Sequence, residues 1–235
     1  MASLLLPKER AEAIFRLYYV CRTLDDWADE GHGEKLREAR QCWSEHRPHE
    51  LLDHYRFLQA RWGLDSLPLT ELMDAMLREL DGVRIKSEAE LLEYCHGVAG
   101  TIGLMTCPIF GVTDPDALQH ADDLGIAMQL TNICRDVRED AENDRIYLPA
   151  DFFGTSPSVS DLLSKDSKWI EETVSVKRRL LSLAEARYAS GEAGIGYLPC
   201  RMRIVVRWAG RMYREIGELI RNDPTSYHSE RAVVK

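Results

Sequence analysis

Two stretches of this chain place carboxylates where a helix normally places its core, and that constrains the fold more than any other feature. Tyr18, Arg22, Asp25 and Asp29 are spaced four, three and four apart. A helix turns about 100° per residue, so these four side chains share one face. Gln129, Asn132, Asp136 and Asp140, spaced three, four and four, repeat the pattern on a second stretch. In an isolated bundle helix, that face is where apolar residues belong.

One such stripe reads as a solvated face. Two, each mixing acids with amide, phenol or guanidinium groups, read as helices facing each other across a polar interior. Burying several like charges costs heavily unless cations compensate them. Carboxylates and amide carbonyls are hard oxygen ligands, suited to Mg²⁺ and poorly suited to Zn²⁺. No His or Cys stands on either stripe at ligand spacing. The expected arrangement is two helices bridging Mg²⁺, or Mn²⁺ in its place, to a diphosphate.

Helix signals dominate the rest of the chain. Pro7 suits a first turn, and the pattern from Lys8 to Glu30 is helical until Gly31 and Gly33. Ser87 to Glu90 forms a capping box opening a helix to about Phe110. Asp114-Pro115 caps another, running to about Glu142. Further helices are expected over roughly 168–190 and 199–221, with shorter ones over 34–46, 48–62 and 70–81. No alternating strand or Asn-Gly hairpin stands out. Arg145 to Pro149 leaves the helical pattern, because Pro149 biases Leu148 to an extended backbone. The expected fold is all-α, a single domain over 1–235, without linker or repeat.

Between the stripes lies Tyr94-Cys-His-Gly-Val-Ala-Gly-Thr-Ile-Gly103. Gly97, Gly100 and Gly103 each cost up to about 1 kcal/mol in a helix relative to Ala. Either another helix packs very closely there, or a long apolar ligand lies against that face.

Composition excludes several classes. A formal net charge of −9 disfavours non-specific nucleic-acid binding, which needs a basic surface. None of the six cysteines forms a CxxC pair, so reduced thiols are expected. No apolar run approaches the roughly 18 residues that span a bilayer, and MASLLLPKER lacks a signal-peptide core. The expected location is the cytoplasm, with peripheral contact at the inner face of a membrane.

Taken together, Tyr18 to Glu30 (YYVCRTLDDWADE), Tyr94 to Thr106 (YCHGVAGTIGLMT) and Leu124 to Pro149 (LGIAMQLTNICRDVREDAENDRIYLP) resemble the squalene/phytoene synthase family. The third segment is long and specific, and the resemblance runs from about Leu5 to the C-terminus. It implies an isoprenoid-synthase-type helical bundle around a central cavity. It implies metal ligation by Asp25, Asp29, Asn132, Asp136 and Asp140, and diphosphate contacts by Arg22, Arg135 and Tyr147. Tyr18, Tyr94, Val98, Ala99, Ile102, Gly103, Met128 and Gln129 fall where the family binds substrate, as do Tyr213 and Arg231. His96 reads as a packing residue inside the second segment.

The activity implied is head-to-head condensation of two allylic prenyl diphosphates through a cyclopropyl diphosphate. Phytoene from two geranylgeranyl diphosphates is the leading product. Squalene, presqualene diphosphate or dehydrosqualene from two farnesyl diphosphates is the alternative, with NADPH implied only for squalene. A reading of another class, a non-enzymatic assembly factor on the same fold, is disfavoured because the acidic residues are kept. The family's basic and aromatic N-terminal segment is absent before LLLPKER, and Lys235 comes earlier than the family pattern suggests.

Overall fold

The computed structural model describes residues 6–80 and 82–223. They form a helical bundle in one domain. Helix α1 (Lys8–Asp29) buries Ala13, Leu17, Val20, Leu24 and Ala28 on one face. The spacing is that of an amphipathic helix, and the acidic stripe lies one residue further round. Helices α2 (Gly33–Ser44), α3 (Glu50–Trp62) and α4 (Leu67–Glu79) complete this half, whose core includes Leu52, Tyr55, Leu69 and Leu72.

The second half is built on α7 (Pro115–Arg135), packed against α10 (Ser167–Gly194) and α11 (Cys200–Asn222). Its core centres on Leu130, Ile133, Leu180 and Ala184. Between the halves runs α5 (Glu88–Cys95), a π-helical turn (His96–Gly100) and α6 (Thr101–Phe110). None of the described helices is long and apolar enough to cross a membrane.

The structure departs from the sequence expectations in four places. The helix expected to run unbroken to Glu142 is interrupted at Asp136 (φ −101°, ψ 14°), so that α8 (Val137–Glu142) starts afresh. The segment from Ser87 to Phe110 holds a π turn, which inserts extra backbone into a helix and re-aims the side chains of α6 beyond it. A short helix, α9 (Val159–Leu163), opens on a capping box of Ser158 and Asp161. Finally, β1 (Val83–Arg84) and β2 (Arg145–Ile146) pair in parallel. Two-residue strands are too short for alternation to show in a sequence, yet this pair ties the end of α4 to the exit of α8.

The glycines of the middle segment serve close helix packing. A Cβ on Gly97 would sit 2.7 Å from the Ala75 Cβ of α4. One on Gly103 would sit 2.5 Å from the Ala121 carbonyl oxygen of α7, and Gly125 of α7 reciprocates against the Ala99 carbonyl at 2.5 Å. Gly97 therefore serves a helix contact, and Gly103 serves one while also lining a cavity. Val98, Ile102, Thr106 and Phe110, four apart on another face, stay open to two cavities.

Candidate active site

The two acidic stripes face one chamber of about 580 Å³. Asp25 and Asp29 enter it from α1, and Asp136 and Asp140 from the α7–α8 junction. Arg22, Asn132, Gln129, Tyr94 and Tyr147 line it too, and Tyr18, 63% exposed, stands among its walls.

Arginines hold the carboxylates. Arg22 donates to Asp25 at 2.9 Å and pairs with Asp26 at 2.7 Å. Arg145 donates to Asp29 at 2.8 Å. Arg135 forks onto Asp136, with Nε to Oδ1 at 2.8 Å and Nη2 to Oδ2 at 2.6 Å. Arg135, expected to contact a diphosphate, thus spends its fork on Asp136 and lines neither cavity. Arg231 lies outside the described residues.

The electrostatics are those of a site that wants a cation. Burial, and then the Asp136 charge, pushes Asp140 up to about 8. Burial, and then Asp29, raises Asp25. The Asn132 Oδ1 is buried with no hydrogen-bond partner, although its amide nitrogen donates to Gln129 at 3.3 Å. An orphaned carbonyl oxygen between strained carboxylates suits a hard divalent cation. Cys21 also lines the chamber, but burial pushes its thiol up to about 12, so it offers no thiolate. Among the described residues no three His, Cys, Asp or Glu side chains converge as a metal cage. Mg²⁺ takes one or two carboxylates and completes its shell with water and phosphate oxygens.

Sequence reasoning missed Glu79 and Arg145. Glu79, at the end of α4, lines the chamber with its side chain 10% exposed. Burial raises its pKa against hydrogen bonds from Tyr94 and Tyr147. Those two rings stack at 4.8 Å and 28°. Arg145 stands 3.8 Å from Glu79 and so links it to Asp29. Arg145 lay inside the third family-like segment; Glu79 belongs to no stripe, and nothing local marks it.

A second chamber of about 370 Å³ runs beside the first. Ala99, Gly103, Met128 and Tyr213 line it alone, while Val98, Ile102, Thr106, Phe110, Gln129 and Asn132 face both chambers. One wall of residues from the π turn, α6 and α7 thus lies between two spaces, one lined by the acids and one almost wholly apolar.

His96 is more than a packing residue. Its Nδ1 lies 2.6 Å from Asp122 of α7, and its Nε2 lies 3.3 Å from Glu71 of α4. The hydrogen bond with Asp122 is the main reason its pKa is pushed up to about 9. It staples three segments together outside both chambers.

Comparison with known proteins places the chain in a family. The family model described as squalene/phytoene synthase matches residues 1–235. The chain is 36% identical to a phytoene synthase of Thermus thermophilus over 94% of its own length and 78% of the relative's. It is 31% identical to a presqualene diphosphate synthase of Rhodopseudomonas palustris, covering 92% of this chain and 80% of that one. A crystal structure of a dehydrosqualene synthase in complex with a ligand superposes with a TM-score of 0.82 at 26% identity, over 95% of this chain and 81% of that one. The chain belongs to the squalene/phytoene synthase family of prenyl transferases.

Proposed function

We propose that the protein condenses two allylic prenyl diphosphates head to head, and that its substrates are two geranylgeranyl diphosphates giving phytoene. One observation carries the reading: two chambers share a wall that includes Val98, Ile102, Gln129 and Asn132, and the carboxylates of both stripes line one of them. Joining two chains at their heads requires the tails side by side and the diphosphates together.

Asp25, Asp29, Asn132, Asp136 and Asp140 would hold Mg²⁺, with Mn²⁺ as a substitute. Bound there, the metal would neutralise the diphosphate charge that grows as the C–O bond breaks. Arg22 and Arg145, already at the mouth, would give charge-assisted hydrogen bonds to phosphate oxygens once these displace their carboxylate partners. The shared wall of Val98 and Ile102 would hold one tail on either side of it and keep water from the allylic cation. The second chain's double bond then attacks that cation, and loss of a proton closes a cyclopropyl diphosphate. The Tyr94 and Tyr147 rings, fixed by Glu79, would present their faces to positive charge. Ionisation of the remaining diphosphate, rearrangement and loss of a second proton yield the linear product.

The similarity to the presqualene diphosphate and dehydrosqualene synthases favours a second reading, in which the tails are farnesyl. NADPH would enter only if squalene were the product. A hydrocarbon product must reach lipid, so peripheral membrane contact belongs to the proposal. Incubation with geranylgeranyl or farnesyl diphosphate and Mg²⁺, followed by lipid extraction, tests both readings. A C40 product from the first substrate is expected. A C30 product alone would transfer the assignment to the second reading, and no product from either would overturn the enzymatic one.

A further inference from the structure

We propose that the far end of the apolar chamber, closed by His120 and Tyr197, limits its tail to four isoprene units. The inference rests on the prenyl diphosphate reading above and names the residues of this chain that set the limit.

Helix α7 is the ruler. Asn132 and Gln129 mark the end shared with the acidic mouth, and His120 and Ala117 line the other end. They lie 12 and 15 residues before Asn132, or about 18 to 22 Å at 1.5 Å per residue. An isoprene unit adds four chain bonds of about 1.5 Å, roughly 5 Å of length in zigzag, so four units span roughly 20 Å. A fifth would have to pass the rings of His120 and Tyr197 at that end.

His120 is a rigid stop. Ser190 donates its hydroxyl hydrogen to Asp123 at 2.5 Å, so the 2.9 Å contact between His120 Nδ1 and Ser190 Oγ has the ring nitrogen as donor. Asp123 is in turn held by Arg187. Behind the ring, a Cβ on Gly194 would overlap it, so the imidazole has no room to retreat towards α10. Tyr197, in the turn Ile195–Tyr197, sets its ring 6.2 Å from that of His120. It is 44% exposed, so truncating it opens the chamber end without excavating a core.

Binding decides the matter independently of turnover. Unreactive thiolodiphosphate analogues with C15, C20 and C25 tails are titrated calorimetrically with Mg²⁺ into the wild type, Tyr197→Ala and His120→Trp. The wild type should prefer C20. Tyr197→Ala should improve C25 relative to C20 by about tenfold or more, because the fifth unit's apolar surface is now buried. His120→Trp should weaken C20 relative to C15 to a similar degree. If His120→Trp melts, Tyr197→Ala alone decides. Unchanged C25-to-C20 ratios in folded Tyr197→Ala would overturn the inference. A wild type with the expected ranking but no C30 or C40 product would instead sink the proposed function and leave the chamber limit standing.

Discussion

Arg145 reaches across 116 residues of sequence to place its Nη1 2.8 Å from the Asp29 carboxylate. The contact joins the two acidic stripes, since Arg145 sits just past α8 and Asp29 ends α1. The β1–β2 pairing fixes it there, with Val83 opposite Arg145. Arg145→Met keeps the stem and removes the charge. It leaves Asp29 and Glu79 facing each other without their common partner. Turnover should fall by roughly 10²-fold or more, as for other single donors to developing negative charge. Steady-state kinetics test this, and wild-type turnover in a folded Arg145→Met protein would remove Arg145 from the mechanism.

Asp140 and Asp136 should respond oppositely in stability while both lose activity. Asp140 is buried beside a like charge, so Asp140→Asn removes an electrostatic penalty and should raise the melting temperature of metal-free protein. Asp136 answers a mostly buried Arg135, and Asp136→Asn breaks that pair, which should lower it. Mg²⁺ should raise the wild-type melting temperature by mass action, and the two variants much less. Scanning calorimetry in EDTA and in Mg²⁺ separates these outcomes. A destabilised Asp140→Asn would show that its carboxylate is a structural group.

The stripes were legible because helical period alone puts Asp25 with Asp29 and Asn132 with Asp136. Which face of the Tyr94–Thr106 segment did what was not legible. Small residues suit both a close helix and a ligand, and only the positions of Ala75 and Ala121 assign the glycines to helix packing. Glu79 was invisible for a different reason. It is one acid at a helix end, and tertiary contacts with Tyr94, Tyr147 and Arg145 create its role. The break at Asp136 lay inside a strong helical pattern, and a two-residue strand carries no period at all.

Two neighbouring positions separate packing from chain selection. A Cβ on Gly125 would meet Ala99 and Gly100 backbone atoms within 2.8 Å, which cannot rotate away. Gly125→Ala should therefore destabilise by about 1–3 kcal/mol, with tail preference unchanged. The Ala99 side chain lines the apolar chamber. Ala99→Phe should fill space there and lose C20 substrate before C15, with a smaller change in melting temperature. Paired melting and C15-to-C20 activity ratios test both. A large melting drop in Ala99→Phe at constant ratio would place that side chain in the helix contact.

His96 should make stability depend on pH in the mildly alkaline range. Its folded pKa, about 9, lies above the value of roughly 6.5 expected for an unfolded chain. The hydrogen bond to Asp122, with help from Glu71, favours the imidazolium. A raised folded pKa means that the folded state holds the extra proton between those values. The staple's stabilisation is therefore full below about pH 6.5, and is lost as pH rises through about 9. Lys177 works with the opposite sign, because burial depresses it to about 8 and its folded form sheds a proton more readily than the unfolded one. Comparing wild type with His96→Gln removes that background, since Lys177 is common to both. Urea unfolding from pH 6 to 10 should show the wild-type advantage shrinking across the interval. The glutamine retains one donor but no titration, so its own curve should lack this component. Parallel curves for the two proteins would mean that His96 stays neutral in the fold, and that Asp122 and Glu71 are held by something other than its charge.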